Sequence, residues 1–210
     1  MKNVIDHVDD LIEIAENIEP YKITVLTGSN GAGKSMIRKI LGPRIAAKLK
    51  RDETKNIVAQ TSMQQRTESR PDFGALSGIM RDVDWSPTSI ETIGKIKALI
   101  KNCGDRYIVI DEPEIGMGEE TVMGLVHYLN KTLRNLIKNE KCLGVMIITH
   151  SRLIVRHLKA DNFVNIDGLD KDQWVNRIIE PVDLDDLEER SNLVFREIQN
   201  RINANKEKKD

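Results

Sequence analysis

The chain has 210 residues, 40% of them hydrophobic and 31% charged, which is enough for one α/β domain with a proper core and argues against a disordered chain. Lys plus Arg number 32 against 33 Asp plus Glu, so no global charge pulls the chain toward nucleic acid or an anionic membrane, and only local patches remain. The longest apolar run, Val145-Met146-Ile147-Ile148, is far short of a membrane span, and residues 1–7 lack the core of a secretory signal. Cys103 and Cys142 form no Cys-x-x-Cys pair, and the expected setting is the reducing cytoplasm.

Val4, Ile5, Val8, Leu11, Ile12, Ala15 and Ile18 recur at helical spacing with acids opposite, which predicts an amphipathic helix over residues 4–18. Ile23-Thr24-Val25-Leu26-Thr27 is an apolar strand. It runs directly into Gly28-Ser29-Asn30-Gly31-Ala32-Gly33-Lys34-Ser35, a complete G-x-x-x-x-G-K-S loop that opens a helix at Met36. The glycines let the backbone fold around a phosphate with its N–H groups inward, and the helix adds its positive end to the same anion. Lys34 can reach the β- and γ-oxygens as a point charge, and Ser35 offers a hydroxyl to Mg²⁺. A glycine-rich turn with an incidental Lys-Ser would have no reason to be both complete and flanked by strand and helix. The motif implies a bound nucleoside triphosphate.

Gly42-Pro43 is expected to break or kink the following helix, with residues 44–51 resuming as a second short one. Asn56-Ile57-Val58-Ala59 is a short strand. Residues 60–87 are polar and punctuated by Arg70-Pro71, Phe73-Gly74 and Ser77-Gly78, so they read as a long loop of the functional or mobile kind. Thr88-Ser89-Ile90-Glu91 spells a capping box with Thr88 as N-cap, and the helix behind it is expected to bury Ile90, Ile93, Ile96, Leu99 and Ile100. Tyr107-Ile108-Val109-Ile110 is a second buried strand. Val122, Val126, Leu129, Leu133, Leu136 and Ile137 mark a long helix, and residues 145–149 a third buried strand followed by a short helix from Ser151. Residues 162–166 and 174–179, joined through an Asp167-Gly168 turn, suggest two final strands. Residues 183–202 read as an amphipathic helix, and residues 203–210 as a charged tail that frays. Strands alternating with helices predict an α/β fold with a largely parallel sheet sandwiched by helices. The expected organisation is one domain over residues 1–182, including the N-terminal helix, then a C-terminal helix and tail over 183–210.

Two further strand ends carry chemistry. Asp111 and Glu112 close the second buried strand before Pro113. An acid there can hold Mg²⁺ through its water shell, which suits Asp111, and Glu112 can accept a proton from water attacking a γ-phosphate. Alone this would be an ordinary acidic turn; the phosphate loop upstream favours catalysis. His150, after Ile147-Ile148-Thr149, ends the next strand and can point at the same phosphate, where a neutral imidazole donates to it or orients water.

Taken in this order, Gly28 to Ser35, Ile110-Asp111-Glu112-Pro113 and Ile148-Thr149-His150 resemble the ATP-binding-cassette class of P-loop ATPases. The fuller strings Asp111-Glu112-Pro113-Glu114-Ile115-Gly116-Met117 and Ile147-Ile148-Thr149-His150-Ser151 look most like its soluble branch of RecF-, Rad50- and OLD-type AAA family ATPase heads. The resemblance spans roughly residues 20–180 and is specific at the motifs, weak between them. It implies a P-loop NTPase fold of the ABC-type ATPase head, with ATP and Mg²⁺ as cofactors. It implies Lys34 and Ser35 on phosphate and Mg²⁺, Asp111 as the Walker B acid, Glu112 as catalytic base and His150 as switch histidine. Gln60 is placed like the Q-loop glutamine that touches Mg²⁺ and the attacking water; it reads equally as a solvated glutamine near Gln64 and Gln65.

At the family's signature the sequence departs. Ser86-Pro87-Thr88-Ser89-Ile90-Glu91 stands where Leu-Ser-Gly-Gly-Gln is expected. Ser89 falls at the signature serine's place, 22 residues before Asp111, with no glycine pair after it. Leu76-Ser77-Gly78 is a closer string in a worse place. Since the signature of one subunit normally completes its partner's site, the departure implies a slow ATPase or a partner that supplies the missing half.

The resulting expectation is an ATP-binding and hydrolysing switch that acts as a homodimer or as a hetero-oligomer with an effector protein, with nucleic acid engaged directly or through that partner. A small-molecule or nucleoside kinase is the second reading, with Arg66, Arg70 and Arg81 as lid arginines. A transporter's nucleotide-binding subunit is the third. A DNA-associated ATPase clamp is the fourth, using Arg38, Lys39, Arg44, Lys48, Lys50 and Arg51; a solvated helix face is the plainer account of that cluster.

Overall fold

The apolar runs become the strands of one all-parallel sheet in the computed structural model, which describes residues 4–34, 37–50, 57–61, 88–179, 181 and 183–207. The strands are β1 (Ile23–Thr27), β2 (Val58–Thr61), β3 (Tyr107–Asp111), β4 (Gly144–Ile148) and β5 (Asn162–Asn165), in the order β2-β3-β4-β1-β5. Around them lie α1 (Val4–Asn17), α2 (Ile37–Lys48), α3 (Thr88–Lys101), α4 (Glu119–Lys138), α5 (Arg152–His157), α6 (Lys171–Asn176) and α7 (Leu184–Glu207).

Strand residues alternate between two cores, as the pleat requires. Ile23, Val25, Ile108, Ile110, Val145 and Ile147 pack with side chains of α3, α4, α5 and α6. Leu26, Tyr107, Val109, Met146 and Ile148 face the other way, onto α1, α2 and α7. Burial on both faces explains why β1, β3 and β4 do not alternate apolar with charged residues: Ile108, Val109 and Ile110 of β3 and Val145 to Ile148 of β4 are continuous apolar runs, and β1 interrupts its run only with the buried Thr24. Among the described residues no helix is long and apolar enough to cross a membrane. Cys103 and Cys142 are buried free thiols that donate to the carbonyls of Lys141 and Gly144.

Several expectations are corrected. Pro43 does not divide its helix; α2 runs continuously from Ile37 to Lys48 with Pro43 inside it. Ile37, Leu41 and Ile45, spaced four apart and fully buried, hold that helix against the core. Arg44 bonds Glu16 at 2.9 Å and the Lys48 ammonium donates to the Ile18 carbonyl at 2.7 Å, which ties α2 to α1. The same two contacts give Arg44 and Lys48 intramolecular roles, whereas the side chains of Arg38, Lys39 and Arg51 lie outside the described residues. β2 starts at Val58, two residues later than expected, and takes in Gln60 and Thr61 from the expected loop. The rest of that loop, with Arg66, Arg70, Arg81 and Leu76-Ser77-Gly78, lies outside the described residues.

Helix α3 already includes Thr88, so Thr88 is its first residue rather than its cap, and Ile90 is 60% exposed rather than buried. Residues 174–179, expected as a last strand, hold none: 174–176 end the helix α6 and 177–179 follow it as irregular chain. A capping box decides it: the Asp170 carboxylate accepts from Gln173 N at 2.8 Å, and Gln173 Oε1 accepts from Asp170 N at 3.1 Å. Trp174 and Val175 are then buried together on one side of a short helix. At the C-terminus α7 continues to Glu207, past the point where fraying was expected, and its Val194 and Ile198 are buried in the core shared with α1.

Candidate functional site

Register brings the chemistry to one end of the sheet. Leu26 of β1 pairs with Ile148 of β4, and Ile148 pairs with Asp111 of β3, so the loops beginning at Gly28, Thr149 and Glu112 leave the sheet at one height. β5 joins the same line, with Asn165 opposite Thr27. Parallel strands deliver all of these loops at their carboxyl ends, the usual place for a ligand in such a sheet. One strand order matters: β4 lies between β1 and β3. The Asp-Glu strand is therefore about 10 Å from the loop strand, with the His150 strand between them.

Gly31 and Gly33 take φ of +75° and +78°, conformations that an L side chain resists. Space excludes a side chain at Gly33 as well, since a Cβ there would lie 2.7 Å from Val194 Cγ1 of α7. The C-terminal helix thus packs against the outside of the loop. Inside it, Lys34 is 6% exposed and its ammonium donates to the carbonyls of Gly28 at 3.2 Å and Ser29 at 2.7 Å. Burial pushes the Lys34 pKa down to about 8, against the opposing pull of Asp167, Glu112 and Asp111, while the charge of Arg177 reinforces the fall. Asn30 is exposed and Ala32 buried on either side of Gly31; Ser35, the expected Mg²⁺ hydroxyl, lies outside the described residues.

Asp111 is buried at the end of β3. Its neighbour Glu112 has φ +50°, in the left-handed region, while its N–H still donates to the Ile148 carbonyl at 2.9 Å and so extends the ladder by one bond. A glutamate in that conformation costs about 1–2 kcal/mol, and strain of this kind concentrates where a side chain must be aimed. Burial, then the charges of Asp111 and Glu114, raise the Glu112 pKa, which makes it a better base than a surface carboxylate.

His150 Nε2 stands 3.6 Å from Glu112 Oε1. Burial, reinforced by the charges of Lys34 and Arg177, pushes the His150 pKa down to about 4, so the imidazole is neutral at pH 7 and the contact is not an ion pair. A His held neutral by the fold stabilises the protein above its unfolded value near 6.5 and loses that contribution as pH falls toward 4. Between pH 7 and 4.5 the thermal midpoint of the wild type should therefore fall more than that of His150→Gln. Identical pH dependence in the two proteins would contradict a buried neutral imidazole. The raised Glu112 pKa has the opposite sign, gaining stability on acidification, and the comparison cancels it because both proteins keep Glu112.

Four residues that sequence reasoning missed organise this end of the sheet. Asp167, in the turn after β5, accepts from Ser29 N at 2.6 Å and Ser29 Oγ at 3.0 Å and so braces the start of the glycine-rich loop. Asn165 sets that turn, donating to Thr27 Oγ1 and accepting from Leu169 N. Glu114 Oε1 accepts from Thr149 Oγ1 and from His150 N, both at 2.8 Å, and fixes the histidine's backbone. Arg177 follows α6, its guanidinium stacked on Trp174 at 4.7 Å and its carbonyl accepting from Arg152. A pair of acids or a lone arginine at these places carries no motif; only the Asp167-Gly168 turn signal was visible.

Gln60 is exposed on β2, opposite Val109 and three strand spacings from β1, or about 14 Å. Ser89 is half-buried in the first turn of α3 beside exposed Ile90. Lys34, Asp111, Glu112 and His150 are the expected residues whose charges or contacts meet directly.

No family model and no curated protein matches the chain. Among solved structures it is similar to the ATP-binding subunit of an ABC transporter, at 17% identity and a TM-score of 0.38 over 86% of this chain and 89% of that one. It is also similar to PCH-2 of C. elegans, at 17% identity and a TM-score of 0.35 over 78% of this chain; the overlap spans 40% of the PCH-2 chain. At this identity and overlap neither carries a residue role across.

Proposed function

We propose that the chain is an ATP-binding and ATP-hydrolysing switch that acts with a second subunit or effector protein through ATP-dependent association. The observation that carries this reading is the meeting of the Lys34 loop, Asp111-Glu112 and His150 at one end of a parallel sheet, with Lys34 electrostatically coupled to both acids. In this reading residues 28–35 wrap the phosphates, and Lys34 exchanges its two carbonyl partners for the β- and γ-oxygens. Glu112, with its raised pKa, takes the proton of the attacking water, and neutral His150 orients that water or donates to the γ-phosphate.

The donor set suits Mg²⁺. Asp111 is a buried carboxylate on the acid side of Lys34, and nucleotide-bound Mg²⁺ needs only one or two protein oxygens because phosphate and water supply the rest. Asp111 and Ser35 would hold it, and it would neutralise charge developing on the phosphates. Gln60 belongs to this reading as a contact approached from β2, and Ser89 as the helix-start hydroxyl that meets a second subunit's γ-phosphate. Nucleic acid enters through the effector.

Association is tested by light scattering with ATP and Mg²⁺. Glu112→Gln, which retains triphosphate, should dimerise at tens of micromolar, and Ser89→Arg added to it should block closure while leaving nucleotide affinity nearly unchanged. A Glu112→Gln protein that binds ATP and stays monomeric removes the homodimer and leaves the effector to complete the site.

A further inference from the structure

The segment after β5 is tied at its start to the 28–35 loop and at its end to α5. Asp167 grips Ser29 at its start, and at its end Arg152 Nη2 donates to the Arg177 carbonyl at 2.5 Å. Arg152 opens α5 only two residues beyond His150, so this bond seats Arg177 against the His150 strand end. Its guanidinium lies on the face of Trp174, a fully buried ring that holds it in place. Among the described residues no carboxylate pairs with it.

Two cations, Lys34 and Arg177, are therefore brought toward one end of the sheet, and the charge of Arg177 acts on both Lys34 and His150. Lys34 already feels the charges of Asp167, Glu112 and Asp111, whereas Arg177 has no carboxylate partner among the described residues, and a planar guanidinium can bind a phosphoryl group through two oxygens. We propose that Arg177 binds the terminal phosphate of the triphosphate, from the same chain as Lys34. Resting on the ATP-binding reading, this assignment makes Arg177 the residue that separates triphosphate from diphosphate. The Trp174 stack is what makes the arginine suitable: it fixes the fork before the ligand arrives, so little side-chain freedom is lost on binding.

The test is equilibrium binding of a non-hydrolysable ATP analogue and of ADP, each with Mg²⁺, to wild type, Arg177→Gln, Arg177→Lys and Lys34→Ala. Arg177→Gln should weaken the triphosphate analogue about tenfold or more and ADP less than about threefold, since a charge-assisted contact is lost only where a γ-phosphate exists. Arg177→Lys, which keeps the charge without the fork, should recover part of the difference. Unchanged discrimination between the two nucleotides in Arg177→Gln overturns the assignment. Equal weakening of both also overturns it, because an arginine that merely supports Trp174 would act on either ligand. Lys34→Ala separates the two failures: if it loses both nucleotides while Arg177→Gln discriminates like the wild type, the phosphate loop stands and only Arg177 falls. Absence of nucleotide binding by the wild type overturns both.

Discussion

Lys34→Ala is expected to lose about a hundredfold or more in ATP affinity, measured by calorimetry or with labelled nucleotide. The variant removes a cation that sits at 6% exposure inside a loop of inward-facing backbone, where a charge-assisted contact to phosphate is worth about 3 kcal/mol. In the free protein the ammonium is satisfied by two loop carbonyls at 2.7 and 3.2 Å, so binding requires it to change partners rather than to become ordered. The pH dependence follows with a definite sign. Burial lowers the Lys34 pKa to about 8, so wild-type affinity should change little through Lys34 between pH 7 and 8 and fall above it as the free lysine deprotonates. ATP binding by Lys34→Ala within a few-fold of the wild type would mean that residues 28–35 are not a phosphate loop.

Glu112→Gln is expected to bind ATP like the wild type and to turn over about 10²–10⁴-fold more slowly, the usual worth of a general base. The amide keeps the shape and loses the proton acceptor whose pKa burial has raised. Glu112→Gly is the companion. It should lose turnover equally, yet its stability should lie within about 1 kcal/mol of the wild type or above it, because glycine is at ease at φ +50°. Steady-state phosphate release and chemical denaturation read the two effects separately. A Glu112→Gln enzyme with turnover near that of the wild type would move the base elsewhere, and a strongly destabilised Glu112→Gly would show that the side chain holds structure rather than chemistry.

Local order was legible where one kind of signal dominated. β3 and β4 carry runs of four apolar residues and β1 three apolar residues with two threonines, and a strand buried on both faces leaves that trace without help from its neighbours. α1 and α4 are long enough for their apolar spacing to outweigh chance. Misreadings came where signals conflicted. At residues 174–179 a strand was expected, although the Asp170–Gln173 box supplies the bonds of a helix start that takes in Trp174 and Val175. At Pro43 a local breaker was outweighed by three buried side chains four residues apart and two ties to α1.

The sequence by itself determined the pieces that lie within a few residues of one another: the loop from Gly28 to Ser35, the acid pair at 111–112, the strand-end His150 and the alternation of strand and helix. These depend on backbone freedom, helix ends and burial, all of which act locally. Only the tertiary structure decided that β4 lies between β1 and β3, that α7 packs on Gly33, and that Asp167, Glu114 and Arg177 join the site. Asp167 meets Ser29 across 138 residues of chain, and Glu114 meets His150 across 36. Such contacts leave no spacing in the sequence to read, because what brings them together is the register of parallel strands and the burial of helices on both faces of one sheet.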